Sequence, residues 1–170
     1  YLDGSDMSIF PRRLIHLAEL TLADAREANL KIVTAESCTG GLIAGLLTEI
    51  AGSSDIVERG FVVYSNEAKR DMLDVPGDLI ADFGAVSEPV ARAMAEGALK
   101  HSRGHISVSV TGIAGPGGGT PMKPVGLVHF GAARQGRSII HEMQLFGDIG
   151  REEVRMKAIE TALNLVRRMI

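Results

Sequence analysis

The chain contains no tryptophan, two tyrosines and a single cysteine, Cys38, among 170 residues. One cysteine excludes an intrachain disulfide and any thiolate-rich metal site, and it fits a reducing, cytoplasmic setting. With five phenylalanines as the other aromatics and a net charge of −3, the chain has neither the stacking platform nor the positive field of a nucleic-acid binder. No apolar run is long enough to cross a bilayer, so no membrane partner is expected. Residues 1–8 lack the basic-then-apolar pattern of a secretory signal. The five histidines, His16, His101, His105, His129 and His141, do not fall at metal-ligand spacing, and no metal is expected. Repeats, heptads and low-complexity tracts are also missing.

What remains describes an ordinary globular chain, 45% hydrophobic and 23% charged. Its length suits one domain with a substantial core. The expectation is a single domain over residues 8–170, preceded by a disordered or tag-derived segment over 1–7.

Periodicity then divides the chain into helices and strands. Residues 9–29 carry Phe10, Leu14, Leu17, Ala18, Thr21 and Ala25 at helical spacing, with Pro11 suited to a first turn. Residues 31–35 read as a short buried strand, and 40–50 return to helical spacing. A second strand is expected at 61–64, with a short helix at 66–73 that Val75-Pro76-Gly77 breaks. Ser87 is a good N-cap for a helix over 88–101. Residues 106–111 form a third strand, alternating apolar residues with serine. Five glycines and three prolines between Gly112 and Pro124 require a loop. Strands at 125–133 and 138–145 flank Arg134-Gln135-Gly136-Arg137, a hairpin signal, and an amphipathic helix fills 150–170. A hairpin cannot join parallel strands. The fold expected is therefore α/β, a three-layer α/β/α sandwich around a mixed, mostly parallel sheet.

In such folds ligands bind beyond the carboxyl ends of the strands. Three segments here follow a strand directly. The first, Glu36-Ser37-Cys38-Thr39-Gly40-Gly41, offers hydroxyls, a thiol and a glycine pair at a helix start. On motif shape it reads first as a helix cap, and otherwise as an anion site or a nucleophile next to oxyanion donors; it lacks the Gly-x-Ser-x-Gly elbow. Cys38 has no histidine nearby in sequence and reads as a small packing residue. The second segment places Tyr64 at a strand end and Lys69 one turn into a helix. Lys69 is either a solvated surface group or, once desolvated, a base. The third, from Thr111 to Gly119, is glycine-rich without the lysine of a phosphate-binding loop. It suits a backbone cradle, a lid or a connector. Arg151 and Arg155 lie four apart on the last helix, an arrangement that serves a phosphate clamp and surface ion pairs alike.

Taken together, several runs resemble the CinA C-terminal domain family, whose stand-alone members are nicotinamide-nucleotide amidohydrolases. They are Thr34-Ala35-Glu36-Ser37-Cys38-Thr39-Gly40-Gly41, Ala51-Gly52-Ser53-Ser54, Gly60-Phe61-Val62-Val63-Tyr64-Ser65-Asn66-Glu67-Ala68-Lys69, Gly84-Ala85-Val86-Ser87-Glu88-Pro89, Thr111-Gly112-Ile113-Ala114-Gly115-Pro116 and Lys123-Pro124-Val125-Gly126. They occur in the family's order across residues 14–165.

The resemblance implies hydrolysis of the carboxamide of nicotinamide mononucleotide to the acid and ammonia. Ser37 would be the nucleophile and Lys69 its base, with Tyr64 orienting the pair. The turn with Thr39, Gly40 and Gly41 would supply oxyanion donors and substrate contacts, and Thr111, Gly112 and Gly115 correspond to ligand-contacting positions. The run Gly147-Asp148-Ile149-Gly150-Arg151-Glu152-Glu153-Val154-Arg155 departs from the family's Gly-Asp-Arg by a small insertion, leaving Arg151 and Arg155 both as phosphate-binding positions. No cofactor is implied. A nucleotide is the partner expected, and a homodimer is compatible with it. Many relatives carry an N-terminal cofactor-binding-like domain, for which 170 residues leave no room. The rival reading is a non-catalytic nucleotide-binding or regulatory module tied to competence or DNA damage.

Overall fold

A computed structural model describes residues 8–170; the expectation for residues 1–7 lies outside them. The elements are α1 (Arg12–Ala28), β1 (Ile32–Glu36), α2 (Leu42–Glu49), β2 (Val57–Val62), α3 (Asn66–Leu73), α4 (Gly77–Phe83), α5 (Glu88–Lys100), β3 (Ile106–Gly112), β4 (Leu127–Arg134), β5 (Ile140–Leu145) and α6 (Arg151–Met169). Among the described residues no helix is long and apolar enough to cross a membrane.

The five strands form one mixed sheet in the order β2-β1-β3-β4-β5. β1 pairs in parallel with β2 and β3, and the two hairpin strands add antiparallel pairings. Four of the five strands thus point the same way, although only half of the pairings are parallel. Glu36 lies opposite Val62 on one side and Val110 on the other. That register brings the carboxyl ends of β1, β2 and β3, and the three segments that follow them, to one edge.

Helices cover both faces. Ile32, Ile106, Val108, Val110, Val128 and Phe130 pack on one face against apolar residues of α1, α2 and α6, such as Leu22, Leu46 and Ile159. On the other, Val33 and Ala35 meet Leu73 of α3 and Val90, Met94 and Ala98 of α5.

Three sequence expectations shift. α4 went unread because it hides no residue completely, and its apolar stripe is too short to stand out beside the Val75-Pro76-Gly77 break. β2 begins four residues early, at Val57. As an edge strand it keeps exposed polar residues, so its Glu58-Arg59-Gly60 stretch has no buried pattern to read. The serines of β3, which alternation would turn toward water, are instead buried. Ser107 and Ser109 donate to the α5 carbonyls of Ala95 and Ala91, each at 2.6 Å.

Close backbone contact seats α5 against its neighbours. A Cβ added at Gly131 of β4 would lie 2.5 Å from the Ala91 carbonyl oxygen. One added at Gly97 of α5 would lie 1.9 Å from the carbonyl oxygen of Leu73, the last residue of α3. Helix propensity favours alanine over glycine by about 1 kcal/mol, but a clash with backbone cannot relax by a rotamer change. Gly97→Ala is therefore expected to cost about 3 kcal/mol, the upper end of overpacking penalties, lowering the melting midpoint in a thermal denaturation scan. It should also push α3 outward.

Candidate active site

The turn between β1 and α2 is built by its glycines and by one buried carboxylate. Gly40 and Gly41 have φ of +59° and +101°, values that side chains with a Cβ rarely adopt. They fold the chain from strand into helix within a few residues. Glu36 is fully buried at the strand's last position, and its two carboxylate oxygens accept from the N–H groups of Ile43 (2.9 Å) and Ala44 (3.1 Å) in the first turn of α2. The N-cap position, Gly41, has no side chain to do this, so a strand residue caps the helix. Burial raises the Glu36 carboxyl above its ordinary value, while the nearby Thr39 hydroxyl and the N–H groups of Ile43 and Ala44 pull it back.

Ser37 follows Glu36 and is held to β3 by its N–H to the Val110 carbonyl at 3.0 Å. Its hydroxyl meets Lys69 of α3, whose Nζ lies 3.0 Å from Ser37 Oγ. Ser65 caps α3, its hydroxyl accepting from the Ala68 N–H, and so aims the first turn back toward the sheet. Lys69 is 1% exposed. Besides Ser37, its amine contacts only two main-chain carbonyls, those of Val63 (3.0 Å) and Tyr64 (3.1 Å). Among the described residues it has no carboxylate in ion-pair range. Burial accordingly lowers its pKa. A neutral amine can donate two hydrogens to the two carbonyls and keep its lone pair for the serine hydroxyl.

Cys38 is buried beside this pair. Burial, reinforced by Glu36, pushes its thiol up to about 12, so it is a protonated packing residue at neutral pH, and not a nucleophile.

Around the pair lies a pocket of about 200 Å³ lined by Ser37, Tyr64, Lys69, Thr111, Gly112 and Arg151, together with Cys38, Asn66, Ala85, Val86 and Ala114. Thr111 donates to the Ala85 carbonyl at 2.9 Å, tying the 85–86 wall to β3. Arg151 stands at the mouth, donating to the Gly115 carbonyl at 2.8 Å, with the Tyr64 hydroxyl at 3.4 Å.

The residues singled out from sequence thus divide. Ser37, Tyr64, Lys69, Thr111, Gly112 and Arg151 converge on one pocket. Thr39, Gly40, Gly41, Gly115 and Arg155 do not line it. Thr39 is fully buried, the glycines shape the turn, and Gly115 serves as an acceptor for Arg151. Arg155 turns inward to the carbonyls of Cys38 (3.1 Å) and Thr39 (3.4 Å). Tyr64 meets the pair through its carbonyl, its side chain being 61% exposed. Glu36, Asn66 and the 85–86 wall were not picked out. Asn66 follows the Ser65 cap in a run already noted, but a carboxylate capping a helix seven residues downstream leaves no local pattern.

The model of the CinA C-terminal domain matches residues 15–170. A CinA-like protein of Mycobacterium sp. (strain JLS) is 52% identical over 140 residues, 82% of this chain and 33% of that protein. The chain spans between 33% and 40% of the length of such curated relatives. Among solved structures, the competence/damage inducible protein CihA from Agrobacterium tumefaciens superposes with a TM-score of 0.94 at 52% identity, covering 96% of this chain and 99% of that one. The competence damage-inducible protein A from Klebsiella pneumoniae gives a TM-score of 0.86 at 32% identity, over 91% and 95% of the two chains. The chain belongs to the CinA C-terminal domain family.

Truncating the buried cap tests how the turn is held. Glu36→Ala removes both acceptors of the first α2 turn and should cost about 2 kcal/mol or more. Hydrogen exchange at the Ile43 and Ala44 amides should speed up well ahead of exchange in β3; equal protection in the variant would show the cap to be dispensable.

Proposed function

We propose that this member of the CinA C-terminal domain family hydrolyses the carboxamide of nicotinamide mononucleotide, giving nicotinate mononucleotide and ammonia. The observation that carries the reading is the 3.0 Å contact between Ser37 Oγ and Lys69 Nζ, with the amine buried and, among the described residues, no carboxylate in ion-pair range. Burial lowers the pKa of such a lysine, so it gives up its proton more readily and can act as a base, and a serine hydroxyl facing it is a candidate nucleophile.

In the reaction, Lys69 takes the proton from Ser37 as Oγ bonds to the carboxamide carbon. The carbonyl oxygen becomes an oxyanion. The N–H of Gly40 is bonded to the Ser37 carbonyl and that of Leu42 to the Thr39 carbonyl, while Ile43 and Ala44 are taken by Glu36. With the Gly41 N–H also directed at Glu36, the N–H groups of Cys38 and Thr39 are the turn's remaining donors for the oxyanion. Collapse of the intermediate breaks the carbon–nitrogen bond, with Lys69 returning its proton to the departing amine as ammonia leaves. Water, deprotonated by the same lysine, then cleaves the resulting ester of Ser37.

The pocket is smaller than the roughly 300 Å³ usual for whole drug-sized ligands. It fits a carboxamide-bearing ring, with the rest of the nucleotide outside. Arg151 at the mouth has no carboxylate partner among the described residues and suits the phosphate.

Purified protein incubated with nicotinamide mononucleotide should release ammonia and the acid in equal amounts. Ser37→Ala and Lys69→Met should each lower kcat by about 10²-fold or more, and full turnover by both variants would overturn the assignment. Tight calorimetric binding without product would favour the non-catalytic module. Because the base must be neutral, kcat/KM should rise with pH, through a midpoint below the ordinary lysine value of 10.5. Arg151→Ala should raise KM for the nucleotide by about 10-fold or more while sparing kcat.

A further inference from the structure

Arg151 and Arg155 lie one turn apart on α6, yet they face different surroundings. Arg151 is exposed at the pocket mouth. Arg155 is half-buried and reaches under the turn that carries Ser37. Its Nε lies 3.1 Å from the Cys38 carbonyl oxygen and its Nη2 3.4 Å from that of Thr39. No carboxylate pairs with it among the described residues. A Cβ added at Gly40 would lie 3.3 Å from Nη2, so glycine is what lets the guanidinium lie this close to the backbone.

We infer that Arg155 is a positioning residue for the nucleophile turn, holding and polarising its peptides, and is not a ligand of the substrate phosphate. The inference rests on the Ser37 reaction proposed above. The peptide between Cys38 and Thr39 has two ends. Its carbonyl accepts from the Arg155 cation, and its N–H, on Thr39, is one of the two donors left for an oxyanion. Hydrogen bonds in sequence reinforce one another, so a cation on the carbonyl makes that N–H a stronger donor. The next peptide is held in the same way. Its carbonyl, on Thr39, meets Nη2, and its N–H, on Gly40, bonds the Ser37 carbonyl at 3.0 Å.

The turn is therefore gripped from two sides. Glu36 takes the N–H groups at the start of α2, and Arg155 takes the carbonyls before it. Both grips are charged, and charge-assisted hydrogen bonds are roughly twice as strong as neutral ones. Neither group lines the pocket. Their effect reaches the reaction through where the Cys38 and Thr39 N–H groups sit, and misplacement by about 1 Å is enough to cost 10²-fold in rate.

The test compares Arg155→Ala, Arg155→Lys and Arg151→Ala on nicotinamide mononucleotide and on nicotinamide riboside, which lacks the phosphate. Thermal melts verify folding. A positioning role predicts that Arg155→Ala lowers kcat by about 10- to 100-fold on both substrates, with KM within about twofold. Arg155→Lys should recover part of the rate, since it keeps the charge but not the two-point contact. Arg151→Ala should instead raise KM for the phosphorylated substrate alone. If Arg155→Ala raises KM for the nucleotide, keeps kcat and leaves the riboside unaffected, Arg155 is a phosphate ligand and the inference fails. It fails equally if every constant stays within twofold. Should Arg155→Ala not fold, the same comparison is made with Arg155→Lys.

A separate readout is the burst of p-nitrophenolate as p-nitrophenyl acetate acylates Ser37. If the wild-type protein hydrolyses neither nicotinamide compound, the substrate reading has failed. A slower burst in the Arg155 variant then still supports the positioning role. An unchanged burst, or none in the wild type, overturns it.

Discussion

A buried amine without a counter-ion is the constraint around which the rest of this structure is arranged. Lys69 is almost wholly removed from water, and among the described residues its acceptors are one hydroxyl and two carbonyls. Holding an ammonium there without a counter-charge is costly, so burial lowers the pKa of the lysine. Every neighbouring element serves that condition. The ends of β1 and β2 supply its three oxygen partners, Ser65 turns α3 to aim it inward, and Gly97 lets α5 close over the end of α3. Even Cys38, the one polarizable group next to the pair, stays protonated because the same burial acts on it.

Much of this organisation was legible in the sequence. The extent of α3 was read correctly, because the Val75-Pro76-Gly77 break is a local signal. The hairpin also followed, since alternation and turn chemistry report on immediate neighbours. The pair itself was named from a resemblance, not from spacing; by spacing alone Lys69 read first as a solvated surface group. The misses have a shared cause. Glu36 capping α2, Ser107 and Ser109 bonding to α5, and Arg155 reaching under the Ser37 turn are all contacts between distant segments. A serine alternating with valine looks the same whether it faces water or a helix carbonyl. Tyr64 is a related case. Its aromatic side chain drew the role, but the contact with Lys69 belongs to its carbonyl, an atom every residue has.

The two arginines of α6 show how little helical spacing settles alone. Four residues apart they share a face, yet the nucleophile turn passes beneath one while the glycine-rich loop meets the other. Tertiary surroundings give similar side chains different work.

The seating of α5 has a mechanical side. Where most helices rest on a sheet through apolar side chains alone, this one adds to its apolar contacts a close backbone approach at Gly131 and two serine hydroxyls bonded to its carbonyls. A side-chain cushion can redistribute its rotamers under load, but direct contact between backbone atoms has almost no give. The helix therefore rests on a hard stop, and the 85–86 segment leading into it inherits that stiffness. Of the surfaces enclosing the pocket, the 85–86 wall is the one tied to this contact, through the Ser87 cap of α5 and the Thr111 bond to the Ala85 carbonyl.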